Sequence, residues 1–155
     1  MTRHINTLFW LLVSVLAIRL GLTAILPLAD TTEPRYAEIA RIMAETGDWI
    51  TPWFDYGIPF WGKPPLSFWT QALSFQLFGV TEFAGRLPSW LANLGIVYLV
   101  YATTRFLQAT PDSERARTNG LWAALIYSTT ALGFLSAGTV MTDSFLVLEI
   151  GRAHV

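Results

Sequence analysis

Leu8 to Leu28 is apolar except for Ser14, Arg19, Thr23 and a few small residues. As a helix its 21 positions rise about 31 Å, the thickness of a hydrocarbon core. Two further runs have the same character. Leu87 to Thr104 holds no charged residue and is bounded by Arg86 and Arg105, and Gly120 to Thr142 holds none over 23 positions. These three segments, 8–28, 87–104 and 120–142, are expected to cross a membrane, and the fold class they predict is all-α. A cleaved leader peptide is the alternative for the first run, but its length and the spans that follow favour a retained helix.

Composition agrees. Hydrophobic residues make up 53% of the 155, charged residues only 14%, against about 25% charged in soluble domains. With 10 Lys+Arg against 11 Asp+Glu, and Lys63 the one lysine, the chain offers no basic face for nucleic acid. It has no cysteine, which excludes disulfides, thiolate metal sites and a cysteine nucleophile. Seven Trp, ten Phe and five Tyr suit a lipid–water boundary.

Orientation follows from the cations. Arg3, Arg105, Arg115 and Arg117 fall on one side if three spans alternate, which predicts a cytoplasmic N-terminus. Residues 29–86 then form an outer loop, and within it Asp30 to Glu82 holds the acids Asp30, Glu33, Glu38, Glu45, Asp48, Asp55 and Glu82 against Arg35, Arg41 and Lys63. Asp143, after the third span, emerges on the same side.

Two amphipathic helices are expected in that loop. Residues 34–46 place Tyr36, Ile39, Ala40 and Met43 on one face and Arg35, Glu38, Arg41 and Glu45 on the other, with Pro34 in the first turn and Gly47 as C-cap. In residues 64–81, Ser67, Thr70, Gln71 and Ser74 form a polar stripe opposite Leu66, Trp69, Leu73 and Leu77, which predicts a helix lying at the interface with that stripe toward water. The alternative is a polar-faced span packed in a bundle. Between the helices, four prolines and two glycines specify an ordered, turn-rich connection.

Few residues are placed to do chemistry. Asp30, where the first span ends, is either a helix cap or a partly desolvated carboxylate suited to accept a proton. Lys63, in FWGKPPL, either snorkels at the interface or neutralises a phosphate at headgroup level. Asp143 either marks the end of the lipid or supplies a second carboxylate beside Asp30. Arg19, inside the first span, is expected to pair within a bundle or with a part of the chain beyond these residues. No His, Asp or Glu cluster has metal-ligand spacing, and no glycine-rich phosphate loop is present.

The string DTTEPRYAEIARIMAETGDWITPWFDYGIPFWGKPPLSFW, followed by EFAGRLPS, resembles the first periplasmic loop of bacterial GT-C type membrane glycosyltransferases of the protein mannosyltransferase and lipid A aminoarabinose transferase superfamily. The resemblance covers Asp30 to about Leu148. It implies a polytopic inner-membrane enzyme, of which this is the N-terminal part, that moves a sugar with inversion from a polyprenyl-phosphate carrier to a lipid or protein acceptor on the periplasmic face. By position it makes Asp30 the base, Asp143 the second catalytic acid and Lys63 the contact to the carrier phosphate. Glu33, Arg35 and Tyr36 fall beside them as substrate-binding candidates. A Glu that precedes the lysine in some aminoarabinose transferases, where it helps hold a metal, is Gly62 here, so no metal site is carried over and an aminoarabinose donor is disfavoured. The rival classes are a transporter or flippase segment and a small structural membrane protein. Residues 150–155, IGRAHV, match the translation of a common sequencing-adapter read and are expected to be a non-native tail on a fragment inactive by itself.

Overall fold

The computed structural model describes residues 2–28 and 31–153 and is built almost wholly of helices. They are α1 (Thr2–Ile25), α2 (Thr32–Thr46), α3 (Leu66–Phe78), α4 (Glu82–Phe106), α5 (Glu114–Thr129), α6 (Ala131–Ser136) and α7 (Asp143–Ala153). A small antiparallel hairpin, β1 (Trp53–Asp55) and β2 (Ile58–Pro59), sits between α2 and α3. Its tip turns through Gly57 at φ 82°, a conformation that favours glycine.

The helices pack in two groups that share α4. In the first, α1, α4 and α5 meet around Leu8, Leu12, Val97, Leu121 and Ala124. Polar bonds cross between them: the Trp90 indole donates to the Leu16 carbonyl at 3.3 Å, and the Tyr127 hydroxyl donates to Asn93 at 3.1 Å. In the second, α2 and α3 pack on each other and on the start of α4 around Ile39, Ala40, Met43, Phe68, Ala72 and Ala84, with Val140 reaching in. Burying Ile39, Ile42 and Met43 contributes about 1.5–3 kcal/mol each, which is why α2 presents its apolar stripe inward. Gly47, at φ 71°, ends α2 with its N–H on the Met43 carbonyl, as its place in the sequence predicts.

Among the described residues one helix, over His4–Ile25, is long and apolar enough to cross a membrane by length and composition. The second expected span, 87–104, lies within the 25 residues of α4, which also carries Glu82, Arg86 and Arg105. The third, 120–142, is not one helix. The chain breaks at Thr130, whose backbone is extended (φ −65°, ψ 148°) and whose hydroxyl accepts the Gly133 N–H to start α6. A turn at 137–142 then leads into α7. Uncharged composition permits a continuous helix there, but Thr130 offers the backbone a local cap, and caps compete with helix continuation.

The orientation of α3 also differs from expectation. Ser67, Gln71 and Ser74 are buried, Gln71 completely, while Leu66, Trp69, Leu73 and Leu77 are exposed, Leu73 by 50%. The polar stripe therefore faces protein and the apolar stripe faces outward. Its small residues allow close approach to α2 and α4, and the Ser74 hydroxyl donates to the Ala84 carbonyl at 2.6 Å. Of the three buried polar residues Ser74 alone is bonded, since Ser67 Oγ and both Gln71 amide atoms have no hydrogen-bond partner among the described residues.

Candidate functional site

Lys63 follows β2 in a turn that is braced from behind by aromatic rings. Tyr36 is buried against Phe68, with centroids 5.7 Å apart and edge to face, and against Phe60 at 6.1 Å. Gly62 lies against the Phe60 ring, where a Cβ would sit 2.8 Å from a ring carbon. The rings, stiffened by Pro64 and Pro65, fix the direction in which the lysine leaves the turn. Asp143 opens α7, where a carboxylate complements the helix dipole. The two side chains meet: Lys63 Nζ lies 4.0 Å from Asp143 Oδ1, both partly open to solvent. They share a cavity of about 190 Å³ with Ser67, Thr142 and Phe145.

Behind this pair is a buried ion pair that links four parts of the chain. Arg86 donates through Nε to Glu33 Oε1 at 3.1 Å and through Nη2 to Oε2 at 2.9 Å. The rest of the guanidinium serves the frayed end of α1, donating to the carbonyls of Thr23 (3.3 Å), Pro27 (2.8 Å) and Leu26. These are carbonyls that a helix C-terminus leaves without partners. Glu33 Oε1 also accepts the Val140 N–H at 2.9 Å. The exit of α1, the entry of α2, the start of α4 and the turn before Asp143 are thereby held together.

Of the acids and bases expected in the site, Lys63 and Asp143 are brought together. Asp30 lies outside the described residues. Glu33, three residues beyond Asp30, points into the Arg86 pair. Tyr36 supports the lysine turn from the core. Arg35 lies over the Phe54 ring at 5.5 Å, on the hairpin side, while Arg41 takes the helix-surface pairs with Glu38 (2.7 Å) and Glu45. Those bonds hold the Glu38 carboxyl below its usual range, through Arg41 first, and raise the Arg41 guanidinium, through Glu38 first. Among the described residues no three His, Asp or Glu side chains lie close enough to hold a metal ion.

Two residues that matter to this arrangement read otherwise in the sequence. Arg86 stands there only as the boundary of a span, although a single arginine inside EFAGRLPS, flanked by small and apolar residues, is the signal of a buried charge. Arg19 is expected to pair within the bundle, and the structure supplies the partner: its Nη2 donates to the Leu135 carbonyl at 3.2 Å and its guanidinium stacks on Phe134 at 4.6 Å.

Comparisons with known proteins bear on the whole chain. It is 33% identical over 130 residues to the undecaprenyl phosphate-alpha-4-amino-4-deoxy-L-arabinose arabinosyl transferase of Aeromonas salmonicida, covering 83% of this chain and 22% of that protein. The protein of the same name from Yersinia enterocolitica is 33% identical over 147 residues, covering 92% of this chain and 25% of the relative. The chain thus spans about a fifth to a quarter of the length of these relatives. No solved structure matches it. The model of the dolichyl-phosphate-mannose-protein mannosyltransferase family matches residues 3–153, and with the lysine, acid and arginine placed as above, the chain belongs to that glycosyltransferase family.

Proposed function

We propose that the protein transfers a sugar from a polyprenyl-phosphate carrier to a lipid or protein acceptor at the periplasmic face of the inner membrane, by a single inverting displacement. The observation that carries this reading is the meeting of Lys63 and Asp143, 80 positions apart in sequence, at one cavity, 4.0 Å from each other. In the proposed topology α1 and α4 cross the membrane in opposite directions, α5 and α6 return to the outer side as a broken third crossing, and α2, the hairpin and α3 lie at the outer boundary. Lys63 then stands at headgroup level, where the phosphate of a carrier sits while its prenyl tail stays in lipid.

The chemistry assigns one role to each group. The acceptor hydroxyl attacks the anomeric carbon, its proton passes to the Asp30 carboxylate, and the bond from that carbon to the phosphate oxygen breaks with its electron pair leaving on the phosphate. Lys63 stabilises the charge that builds there. Asp143, beside the lysine, faces the reacting sugar as the second carboxylate. Glu33, Arg35 and Tyr36 are assigned to shaping the site from behind. Residues 1–155 alone are proposed not to turn over.

The test is transfer by the full-length protein from a panel of undecaprenyl-phosphate-linked hexoses and pentoses. Asp30→Asn is expected to lower turnover by about 10²–10⁴ with unchanged expression. Lys63→Met is expected to abolish binding of undecaprenyl phosphate, and Asp143→Asn to lower turnover while binding persists. Near-normal turnover in Asp30→Asn removes it from the base role, and normal carrier binding in Lys63→Met removes the phosphate assignment.

A further inference from the structure

The segment that delivers Asp143 to Lys63 is an irregular one, and a buried arginine from the first helix lies against it. Arg19 projects from the middle of α1 and is 6% exposed. Its Nη2 donates to the Leu135 carbonyl, the same oxygen that accepts the Gly138 N–H at 3.0 Å and so closes the turn after α6. Its plane lies flat on Gly138: a Cβ there would sit 2.0 Å from Nη2, 2.1 Å from Cζ and 2.3 Å from Nε. Phe134 covers it from one side. A guanidinium is planar and delocalised, and these contacts use that shape as well as its charge.

Two residues further on, Glu33 holds the Val140 N–H, and the Ser89 hydroxyl donates to the Met141 carbonyl at 3.4 Å. The Ser144 hydroxyl donates back to the Ser136 carbonyl at 3.1 Å, joining α7 to the end of α6. The turn therefore has one anchor at its start, Arg19, and a second in its middle, Glu33 with its partner Arg86. A charge inside an apolar span is costly unless it is paired or used, and here it occupies the place where the third crossing departs from helix.

We propose that Arg19 is a positioning residue for Asp143: by seating Gly138 and the Leu135 carbonyl it sets where α7 begins, and so holds the Asp143 carboxylate opposite Lys63. This rests on the proposed function, in which Asp143 acts in transfer and Lys63 holds the carrier. Arg19 touches no reacting atom, and its effect appears in turnover and not in carrier binding. Glycine at 138 is then what lets the guanidinium lie on the turn, since a Cβ there meets Arg19 itself and moves it off the seat.

The test uses the full-length protein in bilayer discs, with Gly138→Ala, Arg19→Ala, the double variant, and Phe134→Leu as a milder change at the same contact. Gly138→Ala is expected to lower kcat by about a hundredfold, the scale of a displacement near 1 Å at a reacting group, while the Kd for undecaprenyl phosphate stays within about twofold because Lys63 is untouched. Phe134→Leu is expected to give the same split, smaller. Since Arg19→Ala makes room for the new methyl, the double variant loses less than the product of the single losses. Parallel losses of turnover and carrier binding, or losses that simply multiply, overturn the proposal. A wild-type protein that transfers no sugar overturns the functional reading and the positioning role with it; that failure is recognised because the unfolding midpoints of the four proteins still show the Arg19–Gly138 coupling.

Discussion

Arg86 illustrates what a single residue contributes here. Its five N–H donors reach two carboxylate oxygens and three backbone carbonyls, so a buried charge is satisfied by groups that are themselves short of partners. Removing one side of such a pair leaves the other buried and alone, at a cost of about 3–5 kcal/mol. Arg86→Met is therefore expected to lower the unfolding midpoint sharply, whereas Arg86→Met combined with Glu33→Leu recovers part of the loss. Thermal unfolding of the single and double variants in detergent checks this, and a double variant worse than Arg86→Met would show that the pair is not what holds these segments. Asp48 gives a pH-dependent counterpart outside the spans. Its carboxylate accepts the N–H of Thr51 and Ile50, both at 3.0 Å, and the Trp53 indole N–H at 2.9 Å. These bonds, the Thr51 amide foremost, hold its carboxyl below the usual range. A depressed folded value stabilises above the ordinary carboxylate value of about 4 and is lost as pH falls through the folded one. Amide exchange at Ile50 and Thr51 is thus expected to be flat from pH 7 to about 5, after correction for intrinsic rates, and to accelerate only below about 4. Acceleration already near pH 6 contradicts it.

At the scale of elements, α3 shows how a stripe can be read correctly and assigned to the wrong side. Periodicity places Ser67, Gln71 and Ser74 on one face and Leu66, Leu73 and Leu77 on the other, as observed, but periodicity is silent on which face meets protein. In the proposed membrane setting the exposed leucines lose nothing, because lipid is as apolar as leucine, and on the other face the Ser74 hydroxyl finds the Ala84 carbonyl. The chain has no cysteine, so single cysteines report cleanly. A nitroxide at Leu73→Cys is expected to be relaxed by oxygen dissolved in the bilayer and hardly by a water-soluble nickel chelate, and one at Gln71→Cys by neither. Stronger relaxation of position 73 by the chelate places that stripe in water. The break in the third expected span belongs to the same scale. Thr130 has a hydroxyl that caps α6, and the helix ends there in the run Ser128, Thr129, Thr130, with no charged residue to mark the end.

For the whole molecule, the sequence determines the helical class, the existence of α1 though not its ends, since the helix runs Thr2–Ile25 where 8–28 is expected, the amphipathic α2 with its proline start and glycine stop, and the identity of Lys63 and Asp143 as residues to watch. Each of these rests on local physics: the length of apolar runs, the period of a stripe, the conformational limits of Pro and Gly, and the rarity of charge in such a chain. The family membership is legible for the same reason, since the motifs around Arg35, Gly47 and Lys63 are contiguous. What the tertiary structure decides is everything that depends on two distant segments finding each other. Glu33 reads in the sequence as a neighbour of the site and becomes a strut because Arg86 lies opposite it, 53 positions away. Arg19 reads as an oddity in a span and becomes a support because Gly138 lacks a side chain just where the guanidinium lies. Lys63 and Asp143 share a site because the chain between α5 and α7 breaks at Thr130 and turns at 137–142. Apolar pattern sets which residues leave water. Close packing and the pairing of buried charge set which of them meet.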